Sequence, residues 1–484
     1  MARRVRSAGR VPASALLWAA GRSDSDTRGP AFTHPGAFEG TMRAFRWIIA
    51  AGVVAAAVVT VLISVRPADA IPAWTRKYGV DCNSCHVAGF KLTRMGQDFL
   101  RAGHQMEGGK EEANLSDHVS VAQKSRFNWS ETETGGVKSA RVNSFEQHAL
   151  AVYMGGPLQK DFSYFAELYW HENSGKTSGT ADLDDYARSK LADAYVQYLN
   201  RQDEESYTSI RFGQLSPFLL HLHGTGARLS QNRPYVLNDG TVGDNPYKPF
   251  TRQYGIEVSQ FVKGFNVAAA MMNGTGAKLF NRVDNDLKKD VYGTLDYSFD
   301  QYGSMLGVYG YAGHYPLFVD KPVVIPTGTA GATIPSSSKV LGYTTYDDFN
   351  QLGVLGNLTR KQGALVGALF TGKNEFTSQV PTEAWFPVDS LTTTTSEIKS
   401  MGYYAEVQLY TLHPRVQPFV RYDFWDPNTD VDDNEVLGPL FGISWRALDA
   451  GRLVAHYTQL KTKKPAPAAE PTKKTFTFEV NFMF

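Results

Sequence analysis

The stretch whose reading decides the fold is the last one, "TFTFEVNFMF" (475–484). Phe476, Phe478, Val480, Phe482 and Phe484 alternate there with Thr475, Thr477, Glu479, Asn481 and Met483. Successive side chains of an extended strand point to opposite faces, so these residues give one aromatic face and one largely polar face. The same period of two recurs upstream. "DFSYFAELYW" (161–170) sets Phe162, Tyr164, Ala166, Leu168 and Trp170 against Ser163 and Glu167. "VYGTLDYSF" (291–299) sets Val291, Gly293, Leu295, Tyr297 and Phe299 against Thr294, Asp296 and Ser298, and "YYAEVQLY" (403–410) alternates Tyr403, Ala405, Val407 and Leu409 with Glu406 and Gln408.

Alternation alone suits a half-buried soluble sheet as well as a barrel. The connections separate the two. Sixteen strand candidates are legible, near 118–128, 145–155, 162–172, 192–200, 206–213, 250–261, 264–273, 290–299, 303–312, 346–358, 362–371, 398–410, 415–424, 437–447, 451–461 and 474–484. Short connections such as "GPLQK" (156–160), "RQDEE" (201–205), "TRKQ" (359–362) and "TLHPR" (411–415) alternate with long ones at 173–191, 214–249, 313–345, 372–397 and 462–473. A soluble sandwich has no reason to sort its loops in this way. An even number of strands with short turns at one end and long loops at the other predicts an all-β fold over 115–484. The expected form is an antiparallel transmembrane β-barrel of about 16 strands, in contact with outer-membrane lipid. Aromatic content of 12% suits interfacial girdles, and a mean hydropathy of −0.30 suits a wall of which one face meets lipid. Even parity returns both chain ends to the periplasmic side, so a segment ahead of the barrel enters the lumen from below.

That segment carries the chemistry. "MRAFRWIIAAGVVAAAVVTVLISVRPADA" (42–70) has Arg43 and Arg46 ahead of an apolar run and ends in Ala68-Asp69-Ala70, the order of parts of a secretory signal peptide cleaved after Ala70. An uncleaved anchor is the rival reading of the run from Trp47 to Val65. Both place Ile71 onward outside the cytoplasm. Residues 1–41 carry no domain signal and read as an over-extended start.

"VDCNSCHVAGF" (80–90) then holds Cys82 and Cys85, the only two cysteines of 484 residues, followed at once by His86. A structural zinc site needs four ligands, usually from two such pairs, and there is one pair. A thioredoxin-like dithiol belongs in a strand–helix context and does not need the histidine. Cys-x-x-Cys-His after an export signal is the attachment signature of one covalent haem c: two thioethers from Cys82 and Cys85, with His86 as proximal ligand of the iron. For the distal position "KLTRMGQDFLRAGHQM" (91–106) offers Met95, His104 and Met106. Lys91–Ala102 reads as a short amphipathic helix with Leu92, Met95, Phe99 and Leu100 on one side, which makes Met95 more simply a core residue. His104 is preferred because Gly103 allows a turn ahead of it; a ligand from the barrel wall stays open. Residues 71–114 are too few to shield a haem alone, so the barrel must supply the burial.

With these parts assembled, the chain resembles the fused monohaem cytochrome–porins of the outer membrane, typified by the iron-oxidising cytochrome of iron bacteria. The resemblance rests on "IPAWTRKYGVDCNSCH" (71–86) directly after the signal site, on "KLTRMGQDFLRAGH" (91–104) and on the strand number, and it covers 71–484. It implies haem c on Cys82 and Cys85, His86 as ligand, and electron uptake from extracellular Fe(II) for delivery to a soluble periplasmic cytochrome or similar carrier, an activity of the Fe(II) oxidase type. Two other functions remain open at this point: a diffusion porin with a structural or sensory haem plug, and electron export to an external acceptor. Distance also favours a conduit, because the apolar band of such barrels is about 25 Å tall and a haem within the lumen brings both sides nearer.

The remaining features read more plainly. "DPNTDVDDNEV" (426–436) is a solvated acidic outer loop. His221 and His223 in "LLHLHGTG" (219–226) belong to a loop folding into the lumen rather than to a metal site, and "KTKKPAPAAEPTKK" (461–474) is a Pro/Ala/Lys loop. A net charge of +1 gives no support to nucleic-acid binding.

Overall fold

The computed structural model describes residues 72–110, 114–139, 141–172, 190–203, 205–226, 228–243, 245–274, 288–321, 341–381, 391–411, 415–448 and 451–484. The expected export segment, 42–70, and the residues ahead of it lie outside the described residues.

Sixteen antiparallel strands of eight residues or more form a closed barrel. In chain order they are β1 Val119–Thr134, β2 Val142–Gln159, β3 Phe162–Glu172, β4 Lys190–Asp203, β5 Ser206–Leu215, β6 Gln253–Val262, β7 Phe265–Met272 and β8 Asp290–Ser298. The second half comprises β9 Met305–Lys321, β10 Leu341–Arg360, β11 Gly363–Pro381, β12 Leu391–Leu409, β13 Val416–Asp426, β14 Val436–Leu448, β15 Gly451–Thr462 and β16 Pro471–Met483. Each strand pairs with its neighbours in sequence, and β16 closes on β1 with Phe476 opposite Trp129 and Glu479 opposite Arg126. The N–H groups of Val121 and Phe484 each donate to the other's carbonyl oxygen, at 2.7 and 2.9 Å. A two-residue strand, Val137–Lys138, rides on the end of β1.

The two faces of the wall have opposite chemistry. Val258 and Ile256 on β6, Val267 and Met271 on β7, Leu295 on β8, Leu365 on β11, Val407 on β12 and Ile443 on β14 are all exposed. Their inward neighbours include Glu257, Asn266, Asp296, Glu406 and Gln408, all buried. A continuous exposed band of Val, Leu, Ile and Phe around the girth is incompatible with water and is the lipid-facing surface of a membrane barrel. The even strand number, the closed sheet and the sorting of short connections (160–161, 263–264, 361–362) from long ones (173–189, 216–252, 322–340) make this a barrel of the Gram-negative outer membrane. The expected strand number and loop sorting are therefore borne out, as is the aromatic face of 476–484: Thr477, Glu479, Asn481 and Met483 are buried, and Phe484 is exposed.

Several strands run further than the sequence pattern suggests. Of the segments 313–345 and 372–397, expected as loops, residues 313–321, 341–345, 372–381 and 391–397 belong to β9, β10, β11 and β12. Thr-rich sequence such as 392–395 favours the extended backbone without a hydrophobic alternation to mark it.

Two segments occupy the lumen. The first precedes the barrel: α1 Pro72–Tyr78, the single turn α2 Cys82–Cys85, a two-residue ribbon pairing His86 with Leu92, and α3 Arg94–Arg101. Thr93 caps α3, its side chain accepting from the Gly96 N–H. The expected helix over Lys91–Ala102 thus starts later, and its buried side holds Gly96, Gln97, Phe99 and Arg101 while Met95 is 39% exposed. The expectation of Met95 in a core is corrected: this helix packs against a polar lumen, so Gln97 and Arg101 face inward. Gln97 Nε2 donates to the Gly303 carbonyl (2.8 Å), Gln197 Nε2 to the Arg101 carbonyl (2.7 Å), Trp74 Nε1 to the Gly155 carbonyl (3.2 Å), and Arg101 pairs with Asp296 of β8.

The second is the connection 216–252 between β5 and β6, which folds inward and buries Leu219, Leu220, Leu222, Leu229, Val236 and Leu237. Opposite walls fasten it: Glu406 accepts from Leu229 N–H (2.8 Å), Asp423 from Tyr235 N–H (3.0 Å), and Asp347 from Asn245 Nδ2 (2.7 Å). His221 and His223 lie on this infolded loop, as expected.

Candidate functional site

The residues of the Cys-x-x-Cys-His motif come together on the wall of a cavity inside the lumen. Cys82, Cys85 and His86 line it with Trp74, Tyr78, Phe90, Leu92, Phe99 and Leu100 of the plug segment, Phe165 and Tyr169 of β3, and Leu222 of the infolded loop. Its volume is about 250 Å³, just below the roughly 300–1,000 Å³ of ordinary small-molecule sites. The lining is apolar and aromatic around the motif and charged elsewhere, where Lys124, Arg126, Arg228, Arg233 and Arg252 border the same space together with Glu167 and Glu172.

Local geometry fixes the motif. Cys82–Cys85 forms one helical turn with the His86 N–H donating to the Cys82 carbonyl. Thr93 ties the following chain to it, its N–H donating to the Cys85 carbonyl (2.9 Å) and its hydroxyl to the Ser84 carbonyl (2.6 Å). Gly96 permits this approach, since a Cβ there would stand 2.3 Å from the Cys85 carbonyl oxygen. Arg446 of β14 donates to Asn83 Oδ1 (2.6 Å), anchoring the turn to the wall.

The chemistry of the donor set narrows what the cavity suits. Neither cysteine is in a disulfide, and burial pushes the Cys85 thiol up, the opposite of an activated redox cysteine. Among the described residues no three His, Cys, Asp or Glu side chains gather as metal ligands, which counts against a protein-only zinc site. Burial holds His86 neutral by pushing it down to about 4, and its Nδ1 has no hydrogen-bond partner. Two thiols and a neutral imidazole beside an aromatic lining have the donor chemistry of a covalently tethered haem.

Of the distal candidates, Met106 lines the cavity, whereas His104 and Met95 are not among its lining residues. His104, 1% exposed and left-handed at φ 60°, lies clamped between the Trp74 and Phe165 rings, 4.4 and 4.9 Å between centroids. The left-handed turn begins at Gly103, φ 67°. Met95 faces a separate vestibule at the periplasmic mouth, together with Arg94 and Asp98. Two further histidines border the cavity: His148 of β2 and His221 of the infolded loop. Neither carried a sequence signal for this site, because each is brought in by the closure of the barrel.

The cavity communicates in both directions. It shares His86, Phe99 and Met106 with the periplasmic vestibule, and Arg126, His148, Gln231 and Arg233 with a polar compartment further out between the infolded loop and β1, β2, β13, β15 and β16.

Solved structures with similar strand arrangements include an anion-selective porin from Comamonas acidovorans, at 12% identity and a TM-score of 0.47 over 76% of this chain and 99% of its own. OmpT of Vibrio cholerae matches at 9% identity and 0.45 over 76% and 97%, and OprB of Pseudomonas putida at 10% and 0.38 over 76% and 95%. No family model matches the chain, and no curated protein matches it.

Proposed function

We propose that this barrel is an outer-membrane electron conduit. It binds one haem c through thioethers from Cys82 and Cys85, with His86 as an axial ligand, and carries electrons from extracellular Fe(II) to a soluble periplasmic cytochrome or similar carrier. The observation that carries the reading is the meeting of both thiols and the imidazole on an aromatic-lined cavity within the barrel. Bound there, the haem supplies a one-electron Fe(III)/Fe(II) couple.

The chain's own residues do the rest. Cys82 and Cys85 fix the group to a turn that Thr93, Gly96 and Arg446 hold rigid. Trp74, Tyr78, Phe90, Phe99 and Phe165 exclude water from its faces, and a drier site favours the less charged redox state. The infolded loop covers the outer side. His86 and Met106, which border both the cavity and the periplasmic vestibule, give the carrier an approach from below.

The test is direct. Full-length protein from a host that matures c-type cytochromes should carry haem stain through a denaturing gel, and the Cys82→Ser/Cys85→Ser variant should carry none. The oxidised protein should then be reduced by Fe(II) added to the detergent-solubilised barrel. Haem that attaches but is never reduced by Fe(II) removes the donor from the proposal. A large open conductance in planar bilayers would favour a solute porin, the reading that the polar outer compartment supports.

A further inference from the structure

The lipid-facing band is not equally apolar all the way round. On β7 and β8 its rows run without a break: Phe265 beside Tyr297, Val267 beside Leu295, Ala269 beside Gly293 and Met271 beside Val291. The seam side departs from this. Residues directly opposite one another in an antiparallel pair share a face, so the outward rows across β16, β1 and β2 follow from the register. From the outer end they read Phe478, Phe127 and Phe145, then Val480, Ser125 and Gln147, then Phe482, Gln123 and Leu150, with Val121 beside Val152 below them. Ser125, Gln147 and Gln123 thus have apolar rows on both sides and lie inside the band, not at its edge. His171 of β3 joins the same face opposite Leu150.

These four side chains form one network on the outside of the barrel. Ser125 Oγ and Gln123 Nε2 donate to Gln147 Oε1 (3.0 and 3.3 Å), Gln147 Nε2 donates to the Lys124 and Ala149 carbonyls (3.2 and 2.9 Å), and His171 Nε2 donates to the Gln147 carbonyl (2.8 Å). The Gln123 carbonyl oxygen and His171 Nδ1 take no part in it. Phe145 and Trp170 stand out beside the network, 87% and 69% exposed. The β1–β2 ladder also slips at Lys124/Ser125 and the β2–β3 ladder at Leu150/Ala151; such bulges re-aim side chains. Acyl chains offer nothing to a hydrogen-bonding group, so a polar patch within the band is costly against lipid. Protruding aromatics around polar groups are instead the composition of a buried interface.

We propose that a second copy of this chain docks on the outer face of β1–β3, the two barrels packing side by side in the membrane. The depth of the patch selects this occupant. A partner has to lie in the membrane itself and present hydrogen-bonding groups at the level of Ser125 and Gln147. The membrane fixes the depth and direction of every copy of this barrel, so a copy turned about an axis along the membrane normal brings the identical rows to the identical level. An amide both donates and accepts, which makes a glutamine patch complementary to itself.

Native mass spectrometry of the full-length chain released from lipid nanodiscs tests this, with heat-modifiable migration showing that each barrel is intact. Wild type should appear at the mass of more than one copy. Gln123→Leu/Gln147→Leu makes the face more lipophilic and removes the amides, and should weaken assembly at least about tenfold, as expected for losing hydrogen bonds between membrane segments. Gln260→Leu, an outward glutamine on β6 bonded to Thr208, should leave assembly unchanged. A wild-type barrel that is monomeric in nanodiscs overturns the proposal, whether or not lipid stays bound to it. Assembly of the double variant as tight as that of wild type overturns it too.

Discussion

Glu406 fastens the infolded loop to the opposite wall, and its removal gives the sharpest test of that arrangement. Its carboxylate is fully buried on β12, accepting from the Leu229 N–H at 2.8 Å, the Ser230 hydroxyl at 3.3 Å and Gln408 Nε2 at 2.7 Å, with Arg421 at 3.7 Å. Glu406→Ala strands the Leu229 N–H, and a buried unsatisfied donor costs about 1–3 kcal/mol. It also takes one of two carboxylates from Arg421. Removing the sole partner of a buried charge costs about 3–5 kcal/mol, but Asp423 still pairs with Arg421 at 2.8 Å, which places the effect at the low end. The sum is about 3 kcal/mol of local stability, roughly a hundredfold in the opening equilibrium of the loop. Trypsin reads this out, since Arg228 lies on that loop ahead of Leu229 and cleavage tracks the open fraction when reclosing is fast. The loop of the Ala variant should be cut about a hundred times faster than wild type in an otherwise intact barrel, and Glu406→Gln, which keeps an acceptor for Leu229, about ten times faster or less. A Glu406→Ala rate within about threefold of wild type would show that the wall does not hold the loop through this residue.

Two other outcomes follow from single positions. Gly103 is left-handed at φ 67°, and a Cβ there would stand 2.2 Å from the Ser163 hydroxyl of β3. Gly103→Val should displace the turn after α3 and raise bilayer conductance above wild type, and unchanged conductance would mean the turn does not help to seal the lumen. His223 on the infolded loop is buried, and burial pushes it down to about 3 from an ordinary 6.5. Between those values the unfolded chain binds the proton and the folded one does not, so this group's stability is present above pH 6.5 and is lost as pH falls towards 3, at up to about 1.4 kcal/mol per unit. His104 and His86, likewise depressed by burial, act with the same sign, so the measurable quantity is a difference. Tryptophan-monitored acid unfolding should be less steep for His223→Leu than for wild type, and parallel curves would refute the burial of a neutral ring.

The wall was legible because lipid and lumen demand opposite chemistry from adjacent residues. The faces read from 476–484 and from 291–298 are those the barrel adopts, with Thr294 and Asp296 inside and Val291 and Leu295 outside. Legibility stopped at the far ends of β9 to β12, where no period of two marks the sequence. It also failed on α3, where hydrophobicity singled out Met95 as a core residue although the lumen buries Gln97 and Arg101 instead. Within the candidate site, Cys82, Cys85 and His86 are adjacent in sequence and carry a chemical signature. Lys124, His148, Arg228 and Arg233 come from distant segments and meet through barrel closure alone, so no local pattern could announce them.

The seam between β16 and β1 sets an order of events in time. It joins the last strand to the first, pairing Phe476 with Trp129 across nearly the whole barrel sequence, and such long-range closures form late and slowly. The plug leads directly into β1, and Arg101, Gln97 and Trp74 already reach β8, the turn after it and β2. Anything attached covalently to the plug has to ride in with it before the seam zips. Covalent maturation at Cys82 and Cys85, on the reading proposed above, would then be an event of the periplasm, completed on a chain still open, and barrel closure would be the step that makes it permanent.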